Sequence, residues 1–148
     1  MITIINVKHA TKGAYEYCGR RNVSHGLPQS SLHNPKPLAH DTPTERDSNC
    51  AEYRVYLHGE IAKGNVAIIT EIQRLADIAE KQDLALGCWC APKSPCHCET
   101  IKLFVTREIA GRQARRAIEL GKQQSGKAGF GKSKTKMVDV GIQGEAVE

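Results

Sequence analysis

Between residues 88 and 98 the chain reads Cys-Trp-Cys-Ala-Pro-Lys-Ser-Pro-Cys-His-Cys, placing four of its six cysteines and a histidine within eleven residues. Thiols and imidazoles crowded in this way are ligands of soft metal ions, members of redox pairs or nucleophiles. Three readings stand side by side. Cys88, Cys90 and Cys96, with either His97 or Cys98, make a thiolate-rich tetrahedral set suited to zinc, although the Cys-x-Cys spacing is tighter than the usual two to four intervening residues. Cys96, activated by a helix start and by His97, makes a nucleophile or redox centre; neighbours on a helix point in different directions, so His97 is not automatically its base. Reduced cysteines also simply fill cores.

These residues need elements to hold them. Leu84 to Cys90 reads as a buried strand in which Cys88 and Cys90 face one side and Trp89 the other. A Pro-bounded loop follows, and Cys96 and His97 then fall where a helix from Glu99 to Leu120 begins, with Ile101, Phe104, Val105 and Ile109 turned inward. Upstream, residues 2–7 and 14–18 suggest two short strands, and residues 19–43 are loop-like. Thr44 reads as the cap of a helix from Glu45 toward His58, with Tyr53, Tyr56 and Leu57 on one face and Gly59 and Gly64 weakening its end. Asn65 reads as the cap of a second helix, with Ile68, Ile72, Leu75 and Ala79 forming one buried stripe. The expected fold is a small single-domain α/β unit over residues 1–120, a central sheet flanked by helices. Residues 121–148 form a Gly/Ser/Lys-rich, flexible basic tail with little to bury.

At 148 residues, 40% hydrophobic and 25% charged, the composition is that of a soluble globular chain with a modest core. No apolar run approaches the ~20 residues of a membrane span. Met1 to Val7 lacks the features of an export signal, so the expected compartment is a reducing cytoplasm, where metal or catalytic use of cysteine outranks disulfides. A net charge of +5 is compatible with polyanionic partners.

Several motifs in order carry a resemblance: Cys18-Gly19-Arg20 after a tyrosine-rich strand, Leu32-His33-Asn34-Pro35, Thr44-Glu45-Arg46 opening a helix, then Leu86-Gly87-Cys88-Trp89-Cys90 and Pro95-Cys96-His97. Over roughly residues 14–105 this order resembles the domain-of-unknown-function family numbered 4326, found in bacteria and their phages. The family pattern is a strand ending in Gly-Arg, a Gly-Asn-Pro loop, a helix opened by Arg and a Cys-Trp-Cys…Cys-His motif. His33 stands where the family usually has Gly, and Cys98 replaces a common Gly. The resemblance implies a shared site and, for a phage-encoded chain, the host cytoplasm. It implies no established activity.

The remaining candidates lie outside the cysteine run. Gly19-Arg20-Arg21 and His33-Asn34-Pro35 can form a phosphate-binding mouth, since arginine offers a rigid fork and a glycine turn exposes backbone donors; the alternative is a surface turn with solvated arginines. Arg46, a cation in a first helical turn, answers either an anion or a salt partner among Glu45, Asp47 and Asp41. His58-Gly59-Glu60 with Pro95-Cys96 resembles half of a zinc deaminase signature, but Glu99 occupies the position of its last cysteine. Residues 107–136 carry nine basic side chains, Arg107, Arg112, Arg115, Arg116, Lys122, Lys127, Lys132, Lys134 and Lys136, opposed only by Glu108 and Glu119. They can contact nucleic-acid phosphates or form a solvated face. Two functions remain. One is an enzyme directed at nucleotides or nucleic acid, its site formed by Arg20, Asn34 and Arg46 with catalytic Cys96 and His97. The other is a non-catalytic, zinc-stabilised module that docks on nucleic acid or protein. Oligomeric state is not legible.

Overall fold

The computed structural model describes residues 1–127, with side chains to residue 126. They form three strands, β1 (Ile2–Asn6), β2 (Glu16–Tyr17) and β3 (Leu84–Cys88), and three long helices, α1 (Pro43–Ala62), α2 (Val66–Lys81) and α3 (His97–Lys127). Single turns of 3-10 helix occupy Val7–His9 and Val23–His25. The α/β fold expected from the sequence is the fold observed.

The sheet order is β1-β3-β2, and both outer strands run parallel to β3. The last strand in sequence is therefore the middle one. It is also the most apolar, with Leu84, Leu86 and Cys88 each 2% exposed or less, as a strand covered on both faces must be. Tyr53 and Leu57 of α1, Ile68, Ile72, Leu75 and Ala76 of α2, and Ile101 and Val105 of α3 complete one core with it.

Element bounds differ from the sequence reading for local reasons. The first two strands are Ile2–Asn6 and Glu16–Tyr17, shorter than residues 2–7 and 14–18. The cap of α1 is Thr42, not Thr44: its side chain accepts from Glu45 N at 3.2 Å, and Pro43 takes the first helical position, where its missing N–H costs nothing. The helix passes through Gly59 and ends at Ala62, and Gly64, just past the Lys63 cap, turns the chain with a left-handed φ of +78°. Asn65 caps α2 as expected. The third strand ends at Cys88, two residues early, because Asn6 at the end of β1 donates to Trp89 O at 3.2 Å and Ala91 O at 2.5 Å and bends the chain out of the sheet.

The chain divides into a compact unit over Met1–Ala114 and a second from Arg115. Within the first, Arg112 of α3 donates to Asp77 Oδ1 at 2.6 Å and Glu80 Oε2 at 3.0 Å on α2, and to Glu108 Oε1 at 2.9 Å. In the second, the described residues continue α3 to Lys127, seven residues into the segment from Gly121 that the sequence reading made a tail. The rest of that segment lies outside the described residues.

Candidate functional site: a cysteine–histidine cluster at the floor of a cationic cleft

All three parallel strands deliver their C-terminal ends to one edge: Asn6, Tyr17 and Cys88. Ligands bind at that edge in open α/β sheets because loops diverge there and leave a crevice. Here the loops after β2 and β3 and the start of α3 meet.

The cluster is built from both sides of the 89–96 loop. Cys88 Sγ and Cys96 Sγ lie 3.3 Å apart, and both side chains are buried. Cys98 is also buried, and its backbone N–H donates to Cys96 Sγ at 3.4 Å. The donor atoms of Cys88, Cys96 and Cys98 all fall within 4.8 Å of one another, as do those of Cys90, Cys96 and His97. The five expected ligands are thus brought together in two overlapping triads that share Cys96. A tetrahedral ion with ~2.3 Å metal–sulfur bonds needs sulfurs a little under 4 Å apart, so this spacing can hold a metal ion.

Electrostatics sort the donors. The Cys88 thiol beside it, then Cys90, holds Cys96 far below the usual thiol range, making it the preferred site of negative charge. Cys88 itself falls to about 7, chiefly through its contact with Cys90. Cys90 is pushed up by Cys88 and Cys96, and Cys98 by Cys18, Cys88 and Cys96, so both are proton donors to the shared charge in the absence of metal. Burial lowers the His97 imidazole, but the hydrogen bond and charge of Cys96 outweigh it and leave its pKa raised. His97 Nε2 lies 2.9 Å from Cys18 O, and its Nδ1 lies 3.9 Å from Cys96 Sγ. Donation from Nε2 to the carbonyl leaves the Nδ1 lone pair turned to the cluster.

A cleft of about 260 Å³ opens in front, and Cys90 and His97 form part of its wall. Trp89 stands at its rim, 36% exposed. Its indole N–H donates to Tyr17 Oη at 3.1 Å, and its ring meets His25 edge-on at 4.7 Å. Tyr17 Oη donates in turn to Arg20 O at 2.6 Å. The ring of Tyr17 lies over Gly19 so closely that an added Cβ there would come within 2.4 Å of its oxygen. Arg20, Arg21 and Lys36 supply positive charge to the same cleft.

The expected phosphate-binding residues are only partly together. Arg20 and Asn34 both line the cleft and touch: Nε and Nη2 of Arg20 donate to Asn34 O at 3.0 and 2.8 Å. Asn34 donates to Asn49 Oδ1 at 2.6 Å and accepts from Lys36 N at 3.0 Å, so its amide shapes the loop. Arg46 lies behind, buried, with Nε donating to Asp41 Oδ1; it borders a small void of about 20 Å³ with Cys90, Cys96 and His97. Its odd place in a first helical turn has its answer in Asp41, to which Lys93 also donates. Trp89 turns outward to the cleft while Cys88 and Cys90 converge. His58 packs against Phe104 and belongs to neither triad.

Sequence reasoning missed Cys18, which is buried against the cluster and whose carbonyl orients His97. It missed Tyr17 and Asn49 as cleft residues, whereas Arg21, in the Gly-Arg-Arg run read as a phosphate-binding mouth, does line the cleft. Of the basic segment, Arg112 is engaged with Asp77, Glu80 and Glu108, and Arg107 lies over the Phe104 ring at 5.7 Å. Side chains from Lys127 onward lie outside the described residues.

Among the described residues, no helix is long and apolar enough to cross a membrane. The profile of a family described as a domain of unknown function, DUF4326, matches residues 5–107, the span that holds both the cleft and the cluster. No curated protein and no solved structure matches the chain.

Proposed function

The chain belongs to the DUF4326 family, and on that premise we propose that it is a nucleotide-directed domain whose cleft takes a nucleotide or a nucleic-acid end beside a zinc-bearing cysteine cluster. The observation that carries this reading is the composition of one crevice: an exposed Trp89 face, the cations Arg20, Arg21 and Lys36, and Cys90 with His97 in its wall. Arg20 is committed to Asn34 O and Lys36 pairs with Glu52, while Arg21 makes no hydrogen bond or ion pair among the described residues. Arg21 is therefore the phosphate ligand, Arg20 the brace that shapes the loop, and Trp89 the platform for the base.

Zinc suits the cluster because four cysteines and a histidine outnumber the acidic oxygens that harder ions need. Cys88, Cys96 and Cys98 would hold it from the buried side, and Cys90 or His97 would supply the fourth donor. When bound, zinc ties the end of β3 to the start of α3 and acts as a Lewis acid wherever a coordination position stays open. Placed in the cleft wall, Cys90 and His97 are the groups that would meet a bound nucleotide.

The second reading, a non-catalytic metal-stabilised module, is favoured by the surplus of protein donors, which can close the coordination sphere. Elemental analysis with a thiol count before and after denaturation tests the metal. Titration with nucleoside mono-, di- and triphosphates and short single strands, followed by the emission of the sole tryptophan, tests the ligand. Saturable quenching that Arg21→Ala weakens supports the proposal; no response to any of them refutes it. Chromatography of the incubated nucleotide separates the two readings, since only an enzyme alters it.

A further inference from the structure

The two donor triads are not independent. Cys88, Cys96 and Cys98 form one, Cys90, Cys96 and His97 the other, and Cys96 alone belongs to both. One change at this sulfur disables every metal arrangement the cluster offers. Its sulfur lies 3.3 Å from that of Cys88, so closing a bond needs a shift of little more than 1 Å to the ~2.05 Å disulfide length. The two cysteines are separated by a loop, residues 89–95, outside regular secondary structure, which can absorb that shift.

Cys96 also has an approach of its own. A second crevice of about 240 Å³ is lined by Cys50, Arg54, Pro95, Cys96, Glu99 and Thr100. Its lining shares no residue with the first. A small neutral oxidant can reach Cys96 there without displacing a ligand from the main cleft.

We propose that Cys96 is a peroxide-modification site, and that its oxidation forms a Cys88–Cys96 disulfide that ejects the metal from the cluster. The sulfur of Cys96 attacks one oxygen of hydrogen peroxide; the O–O bond breaks, hydroxide leaves, and Cys96 becomes a sulfenic acid. Cys88 then attacks that sulfur, the S–S bond forms and the sulfenic oxygen departs as hydroxide. Overall the two cysteine sulfurs give two electrons to peroxide, whose two oxygens leave as hydroxide and take their protons from solvent to become water. Cys98 alone then remains of the first triad and Cys90 with His97 of the second, too few in either for a stable tetrahedral site. Because Cys90 and His97 also wall the nucleotide cleft, the modification reports redox state to the binding surface. The metal-release half of this proposal rests on the metal reading above, and the disulfide half does not.

The test treats full-length, zinc-loaded protein with hydrogen peroxide while a chromogenic chelator reads released zinc and mass spectrometry reads the protein. The expected result is a mass loss of about 2 Da, a peptide cross-linked between Cys88 and Cys96, zinc release in step with it, and reversal of both by dithiothreitol. Cys50→Ser, which removes the other thiol of the second crevice, should leave the cross-link and its rate within about twofold. Loss of the cross-link in that variant, a bond mapped elsewhere, or oxygen addition at Cys96 without any cross-link would overturn the proposal. If purified protein binds no zinc, the metal reading fails, and the cross-link map still decides the oxidation.

Discussion

Replacing Gly19 by alanine probes whether the Tyr17–Trp89 rim is a built part of the cleft. The new Cβ would lie 2.4 Å from Tyr17 Oη and 2.6 Å from Cζ, so something must move. Tyr17 is only partly buried at the edge of the cleft, and its ring can swing outward. That movement relieves the overpacking, which would otherwise cost about 1–3 kcal/mol. It breaks the hydrogen bonds to Arg20 O and from Trp89 Nε1, each contributing about 0.5–1.5 kcal/mol. The expected loss is about 1–3 kcal/mol, read as a lower urea midpoint at constant m. Because Trp89 is the only tryptophan, its emission should change in the native baseline, before unfolding begins. A stability change below about 0.3 kcal/mol with unchanged native emission would show that the rim yields without cost, and the reasoning from Gly19 would be wrong.

Trp89→Ala should weaken nucleotide binding by about 1–3 kcal/mol, the range for loss of a stacking platform, measured by calorimetry; unchanged affinity would remove Trp89 from the site. Cys98→Ser should lower zinc content and thermal stability together, since the binding energy of a structural ion is folding energy, and full zinc occupancy in this variant would exclude Cys98 as a ligand. Asp41 is held at about 2 by the hydrogen bonds from Arg46 and Lys93. Its folded pKa lies below its unfolded value, so its contribution is present above the ordinary carboxylate range and lost as pH falls toward 2. Asp41→Asn should therefore flatten the acid limb of the stability–pH profile between about pH 4 and pH 2, and an unaltered limb would show the pair to be inert.

What could be read from the chain follows sequence distance. Cys88 to Cys98 is a continuous run, and a strand followed by a helix start forces its donors together whatever the rest of the fold does. The stripe of α2 and its Asn65 cap were equally legible, being local periodicity and local chemistry. The hidden parts are those joined across the sheet. Cys18 meets His97 across 79 positions, and Trp89 meets Tyr17 across 72; neither pairing leaves a local mark. Arg46 read as a candidate anion ligand because its burial and its geometry against Asp41 depend on how residues 36–42 wrap the start of α1. The start of α1 itself was misplaced by two residues because Thr42 and Thr44 are equally good caps, and the proline between them settles the choice.

The strand order has a consequence for how the molecule comes into being. Among the described residues, strands β1 and β2 have no hydrogen-bonded partner in the sheet except β3, which begins 82 positions after β1. During synthesis the first eighty residues can form α1 and α2 through local contacts, but they cannot make a single ladder of the sheet. Both outer strands must wait with unpaired edges, and the middle strand arrives carrying Cys88 at its end. The sheet and the cluster are therefore late products of one event. Until it occurs, the core residues of α1 and α2 lack Leu84, Leu86 and Cys88 of the central strand, and that interval is when the chain is most open to aggregation.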